Sequence, residues 1–379
     1  MAIDRLLVTT SSPHAHSGQS TARIMWTVVG VLSPAALFGV YSFGLPALLV
    51  VLLTVAAAVG SEAAWQALRG EPHTIRDGSA VLTGLLLALN LPPGSPWWMC
   101  LVGGLVAMVL GKCVFGGLGQ NPFNPALTAR VFLLIAFPVP MTQWLLPGTL
   151  EPEVPASGQA VDLETRVPEL ANTPITFVNH EGRIIDDVRG LATLDDVDVD
   201  MVSAASPLGL IAEGAQAGTV AAGFSIMNLF HGARENGSLG EVSALILLVG
   251  GLVLLFLRII TWHIPVAFLG TMVIFAAITN AVDAQQYAGP LFHLCAGGAM
   301  IGAWFMATDY VTSPMFPRGK LIFGVGCGLL TMVIRVWGGY PEGVSFAILL
   351  MNAAVPLIDQ YTKPRKFGLA RLAQAGEGS

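Results

Sequence analysis

Ten apolar runs, most of them long enough to cross a bilayer, divide this chain, and two junctions beside them hold residues that a continuous membrane helix cannot accommodate. The runs lie at roughly 24–43, 46–68, 78–92, 96–115, 124–139, 242–260, 264–282, 292–308, 319–337 and 343–361. A helix needs about 20 apolar residues to span the hydrocarbon layer, so the third and fifth are short. Only 11% of the 379 residues are charged, against about 25% in a soluble domain. The chain therefore reads as an all-α polytopic membrane protein with about ten transmembrane helices. The first irregular junction is Gly116-Gly117-Leu118-Gly119-Gln120-Asn121-Pro122-Phe123-Asn124-Pro125. The second is Gly338-Gly339-Tyr340-Pro341-Glu342-Gly343, ahead of a run that carries Asn352 and Pro356. Backbone freed by such residues must be packed in protein or line a cavity, because lipid offers it no partners.

Basic residues orient the spans, since Lys and Arg favour the cytoplasmic side. Arg5 and Arg23 precede the first run, Arg69 and Arg76 follow the second, and Lys112 ends the fourth. Arg258, Arg318, Lys320, Lys363, Arg365, Lys366 and Arg371 fall on the same face if both termini are cytoplasmic. Arg335 is the exception. The stretch between the two sets of runs then lies outside. From 140 to 240 it holds fourteen Asp or Glu and four Arg, as a translocated loop should. Its Pro, Gly and Asp content predicts an irregular segment, with an apolar stretch near Val220–Phe230 that packs on the membrane surface or re-enters it. The expected divisions are 1–23, a cytoplasmic N-terminal segment; 24–139, a first membrane repeat; 140–241, an extracytoplasmic loop; 242–361, a second membrane repeat; and 362–379, a cytoplasmic tail. No secretory signal pattern precedes the first run.

Five spans per half means that the second half inserts upside down relative to the first. The landmarks keep the same order: a short third run and the eighth, then Gly116-Gly117 after the fourth and Gly338-Gly339 after the ninth. Inverted repeats with broken helices place a site between the halves.

Polar groups inside membrane runs are costly and point to function. Asn90, Asn121, Asn124, Arg130, Asp309 and Asn352 are the candidates. For the asparagines the competing reading is that they bridge broken helix ends by hydrogen bonds. Arg130 either snorkels to the interface or binds an anionic group, and Asp309 is either a solvated cap or an ion ligand. Cys100, Cys113, Cys295 and Cys327 all sit in apolar runs without CxxC spacing and read as buried small hydrophobes. No metal-binding or hydrolase motif is present, and a net charge of −6 gives no footprint for nucleic acid.

The Gly116–Ala126 segment, Trp262-His263-Ile264-Pro265, Arg318-Gly319-Lys320-Leu321-Ile322-Phe323-Gly324, Gly338–Val344 and Ser11-Ser12-Pro13-His14 ahead of Arg23-Ile24-Met25 together resemble the D-type membrane component of the Rnf electron-transport complex. The B-type component of the sodium-translocating NADH:quinone oxidoreductase is the related cousin. The resemblance implies a membrane component of an ion-translocating ferredoxin:NAD oxidoreductase in the bacterial inner membrane, coupling electron transfer to Na+ or H+ transport and inactive alone. It implies FMN held covalently through a phosphoester in an Asp-x-x-Ser-Gly-Ala-Thr-type motif. Here Asp200, Ser203, Ala205 and Ser206 match it, with Ser206 at the attachment position; Ala204 stands for the Gly and Ser for the Thr. A second, non-covalent flavin, riboflavin, is implied in the membrane core, for which Asn90, Asn121, Asn124 and Asp309 are candidate flavin or ion contacts. Implied partners are the other membrane and peripheral subunits, including an extracytoplasmic flavoprotein, together with a flavin transferase and the lipid bilayer. The residues alone leave one alternative open, a small-solute channel or transporter of urea- or ammonium-type architecture.

Overall fold

A computed structural model describes residues 20–70, 72, 74–145, 175–179, 184–185, 199–204, 206–212, 226–232, 237–241, 243–338, 340 and 342–363. The first half holds α1 (Thr21–Phe43), α2 (Leu45–Arg69), α3 (Ser79–Leu89), α4 (Trp97–Leu105, continued by a π segment Val106–Leu110), α5 (Pro125–Ala136) and α6 (Pro138–Thr142). Local chemistry sets the boundaries. The Ser20 hydroxyl caps α1 by accepting from the Arg23 N–H, and α2 stops at Gly70, whose φ of 67° suits a left-handed terminus. Asn124 caps α5 and Pro125 occupies its first turn, where the missing N–H is harmless.

The second half holds α9 (Ala244–Phe256), α10 (His263–Val282), α11 (Pro290–Cys295), α12 (Ala299–Ile301, continued by a π segment Gly302–Met306), α13 (Pro317–Trp337) and α14 (Val344–Thr362). Six helices are long and apolar enough to cross a membrane: α1, α2, Trp97–Phe115, α10, α13 and α14. Helices α3, α5 and α9 are shorter and apolar. The short third and fifth runs were expected. Two others differ from expectation. The sixth run gives a 13-residue helix, because the chain turns at Arg258, which has a φ of 57°. The eighth is broken between α11 and α12, where Gly297 has a φ of +70°.

The expectation of an irregular loop also needs correction, and with it the strictly all-α class. Strands β1 (Trp144–Leu145), β2 (Ile175–Asn179), β3 (Ile184–Ile185) and β4 (Val199–Ala204) form an antiparallel sheet of order β1-β4-β2-β3. Trp144 pairs with Ala204, and Thr176 with Ser203. Short runs of β-branched and aromatic residues such as Ile175-Thr176-Phe177-Val178 favour this pairing. Two short helices follow, α7 (Pro207–Ala212) and α8 (Ile226–His231). The Val220–Phe230 stretch lies partly outside the described residues; its described end, α8, packs on α9 and α11 with Leu229 buried and Met227 exposed.

Small residues let the helices close on each other. A Cβ added to Gly104 of α4 would meet Ala57 of α2 at 2.6 Å. One added to Gly328 of α13 would lie 2.5 Å from the Phe268 carbonyl of α10. Such approach supplies dispersion contacts where lipid gives no hydrophobic drive. One core runs through both halves, from Leu32, Leu87 and Leu133 to Phe268, Phe292 and Ile348.

Candidate functional site: broken helix ends between the halves

Three of the expected asparagines sit where helix ends from the two halves meet. The Asn124 carboxamide oxygen accepts from the Ala126 and Leu127 N–H groups at 3.1 and 3.3 Å, and its Nδ2 donates to the Met306 carbonyl at 3.3 Å. Met306 ends the π segment of α12, so one side chain satisfies the start of α5 and the end of α12. Asn90, at the end of α3, donates to the Leu86 carbonyl at 2.6 Å and approaches the Met306 sulfur at 3.8 Å. With its amide turned to match its surroundings, Asn352 of α14 donates to the Thr312 and Ile348 carbonyls and accepts from the Asn124 N–H at 3.3 Å. These bonds supply the partners that broken helices lose in lipid, so the bridging role holds for all three.

Asn121 and Asp309 are placed differently. Asn121 donates to the Phe123 carbonyl at 3.0 Å, fixing the turn before α5. Asp309 accepts from the Thr312 hydroxyl at 3.1 Å. Asn121, Asn124 and Asp309 line one cavity, together with Ser79, Thr83, Lys112 and Thr308 and an apolar wall that includes Leu82, Leu86 and Phe305. Asn90 is not among its lining residues.

Two buried ion pairs escaped the sequence reading. Lys112 Nζ lies 2.6 Å from Glu62 Oε1 and 2.7 Å from Ser79 Oγ; Lys112 and Glu62 are 2% and 1% exposed. Gln66 and Thr74 also bond Glu62. The signal was present: a lone Glu and a lone Lys in apolar runs each need a counter-charge. The pairing was not legible, because 50 residues separate them. Midway along α5, Arg130 pairs with Glu342 and donates to Ser345 Oγ, tying α5 to the start of α14. Arg130 is therefore a buried tie rather than a snorkelling residue. Arg335 donates to the His293 and Ala296 carbonyls at 2.6 and 2.9 Å. It caps the end of α11, which explains its exception to the charge rule.

That same break seats the loop. A Cβ on Gly297 would lie 2.5 Å from Leu208 of α7 and 2.9 Å from Arg335 Nη2. Ser206, just before α7, is 4% exposed and its Oγ accepts from the Gly209 N–H at 3.1 Å. Asp200 and Ser203 belong to β4, and Ala205 lies outside the described residues. The four cysteines are buried, and among the described residues no His, Cys, Asp or Glu group could hold a metal.

The sequence model of the NQR2, RnfD, RnfE family matches residues 8–368. The chain belongs to this family. It is 46% identical over 351 residues to the D-type component of the ion-translocating oxidoreductase complex of Stutzerimonas stutzeri, covering 92% of each chain. It is 41% identical to the D-type component of the Na+-translocating ferredoxin:NAD+ oxidoreductase complex of Acetobacterium woodii, over 97% of this chain and 96% of that one. It is 40% identical to the same component of the proton-translocating counterpart of Clostridium ljungdahlii, over 95% and 96%. The long Gly116–Ala126 segment carries the Asn124 bridge and five cavity residues, Leu118, Asn121, Asn124, Pro125 and Ala126. Two relatives of nearly equal identity are named for different ions, so overall likeness does not discriminate between Na+ and H+.

Proposed function

We propose that this protein is the D-type component of an ion-translocating ferredoxin:NAD+ oxidoreductase complex, a flavin-bearing membrane subunit that couples electron transfer to Na+ or H+ transport. The likeness to proteins named as that component, over nearly the whole of both chains, carries the reading. It also weighs against a small-solute channel. The relatives' role supports a position in the bacterial inner membrane, and the distribution of Lys and Arg supports cytoplasmic termini. The ten apolar runs form a five-plus-five inverted repeat. The close packing of α2 on α4 and of α10 on α13, at corresponding places in the two halves, supports that symmetry.

FMN is joined to the Ser206 hydroxyl as a phosphoester, installed by a flavin transferase. The residues suit this. Ser206 supplies the oxygen, Leu208 anchors the segment on the α11–α12 break, and Arg335 brings a buried cation whose Nε has no hydrogen-bond partner among the described residues. The second flavin, riboflavin, occupies the cavity lined by Asn121, Asn124 and Asp309, where apolar walls and a polar rim suit a heteroaromatic ring. The flavins supply the redox chemistry, and the protein positions them. Partners are the other subunits of the complex, including an extracytoplasmic flavoprotein on the face that carries the acidic loop.

The test is direct. Coexpressed with a flavin transferase, the denatured chain should fluoresce as a gel band and carry an FMN-sized mass increment on the peptide containing Ser206. Ser206→Ala should abolish both. A colourless wild-type band, or loss on Ser203→Ala alone, would remove Ser206 from the account.

A further inference from the structure

The cavity has one charged group whose hydrogen bonds are incomplete. The Lys112 ammonium carries three N–H donors. One goes to Glu62 Oε1 and one to Ser79 Oγ. Ser79 donates its own proton to Asp77 Oδ1 at 2.6 Å, so its oxygen is set to accept from Lys112. Glu62 is held through Oε1, which Gln66 and Thr74 also bond, while Gln66 bonds Thr74 at 2.7 Å; its Oε2 has no partner among the described residues. A cation held this way cannot swing out to solvent; Lys112 is among the residues lining the cavity, and two of its three N–H donors have partners among the described residues. A purely structural ion pair has no need of an adjoining space. Asp309 lies on the same cavity and brings an acceptor.

We propose that Lys112 is a cofactor-contacting residue of this cavity, presenting its third N–H to the pyrimidine edge of the non-covalent flavin and offsetting the negative charge that reduction places there. The inference rests on the reading that the cavity holds riboflavin. A flavin ring offers carbonyl and ring-nitrogen acceptors on that edge, beside a ring N–H that Asp309 can accept. A fixed, buried cation stabilises developing negative charge far better than one in water. Glu62 acts through Lys112 and is a positioning residue.

The experiment uses the assembled complex with wild-type chain, Lys112→Arg, Lys112→Gln and the double variant Glu62→Gln/Lys112→Gln, which leaves no unpaired buried carboxylate. Riboflavin extracted on denaturation is counted and the potential of the non-covalent flavin is measured. Lys112→Gln should lose about tenfold of the preference for the reduced ring, about 30 mV for a two-electron couple, while Lys112→Arg keeps most of it. An unchanged potential in Lys112→Gln or in the double variant overturns the role of Lys112. A wild-type complex that releases no riboflavin overturns the reading of the cavity and this inference with it. If neither neutral variant assembles, amine acetylation of the wild-type complex decides. Lys112 should be modified several-fold faster in folded complex assembled under riboflavin depletion than in the riboflavin-loaded complex, and equal rates contradict the proposal.

Discussion

The two ends of this bundle bury charge in different ways. Where α11 breaks, Arg335 places both terminal nitrogens on helix-end carbonyls, and midway along α5 Arg130 bridges to Glu342 and Ser345. These cations close helix ends and tie the halves together. At the end where α5 begins, Lys112 and Glu62 lie within the first half, and the cation borders a cavity with a donor to spare. The same residue chemistry thus makes a brace at one end and a binding wall at the other. What distinguishes them is placement: Arg130 and Arg335 close helix ends and tie elements together, whereas Lys112 pairs within the first half and borders the cavity.

That contrast makes a graded set of predictions. The largest effect should come from Glu342→Ala, which leaves Arg130 buried without its counter-charge. Losing one partner of a buried pair costs about 3–5 kcal/mol, so the complex should lose thermal stability strongly or fail to assemble. Arg335→Met should come next. It strands two helix-end carbonyls, at about 1–3 kcal/mol each, and should lower the melting temperature without changing riboflavin content. Asn124→Ala should cost about 1–2 kcal/mol as a lost cap, and should also reduce riboflavin retention, because Asn124 both bridges and lines the cavity. Asn121→Ala should be the mildest, below about 1 kcal/mol, read as weaker riboflavin retention in a complex of near-normal stability. If Arg335→Met empties the cavity while Asn121→Ala does not, the division between brace and wall is wrong.

Much of this was legible in the sequence. The Gly116–Pro125 segment announced broken backbone, and asparagine in an apolar run announced hydrogen bonds to repair it; Asn90, Asn124 and Asn352 do so. Hydropathy did not reveal that the sixth run turns at Arg258 or that the eighth breaks at Gly297, since apolar residues look alike in helix and turn. Nor could it pair Glu62 with Lys112 or Arg130 with Glu342, which are partners only through tertiary packing. The strands were missed because a high Pro, Gly and Asp content masked short β-branched runs.

The proposed function calls for two flavins held in two ways, and one measurement addresses that most directly. The purified complex is denatured, the chains are separated on a gel, and the released flavins are identified. The account predicts flavin fluorescence that stays with this chain and depends on Ser206, together with about one riboflavin released per chain. A fluorescent band with no riboflavin released would leave the cavity without its ligand. A colourless band would contradict the covalent flavin on which the proposed function rests.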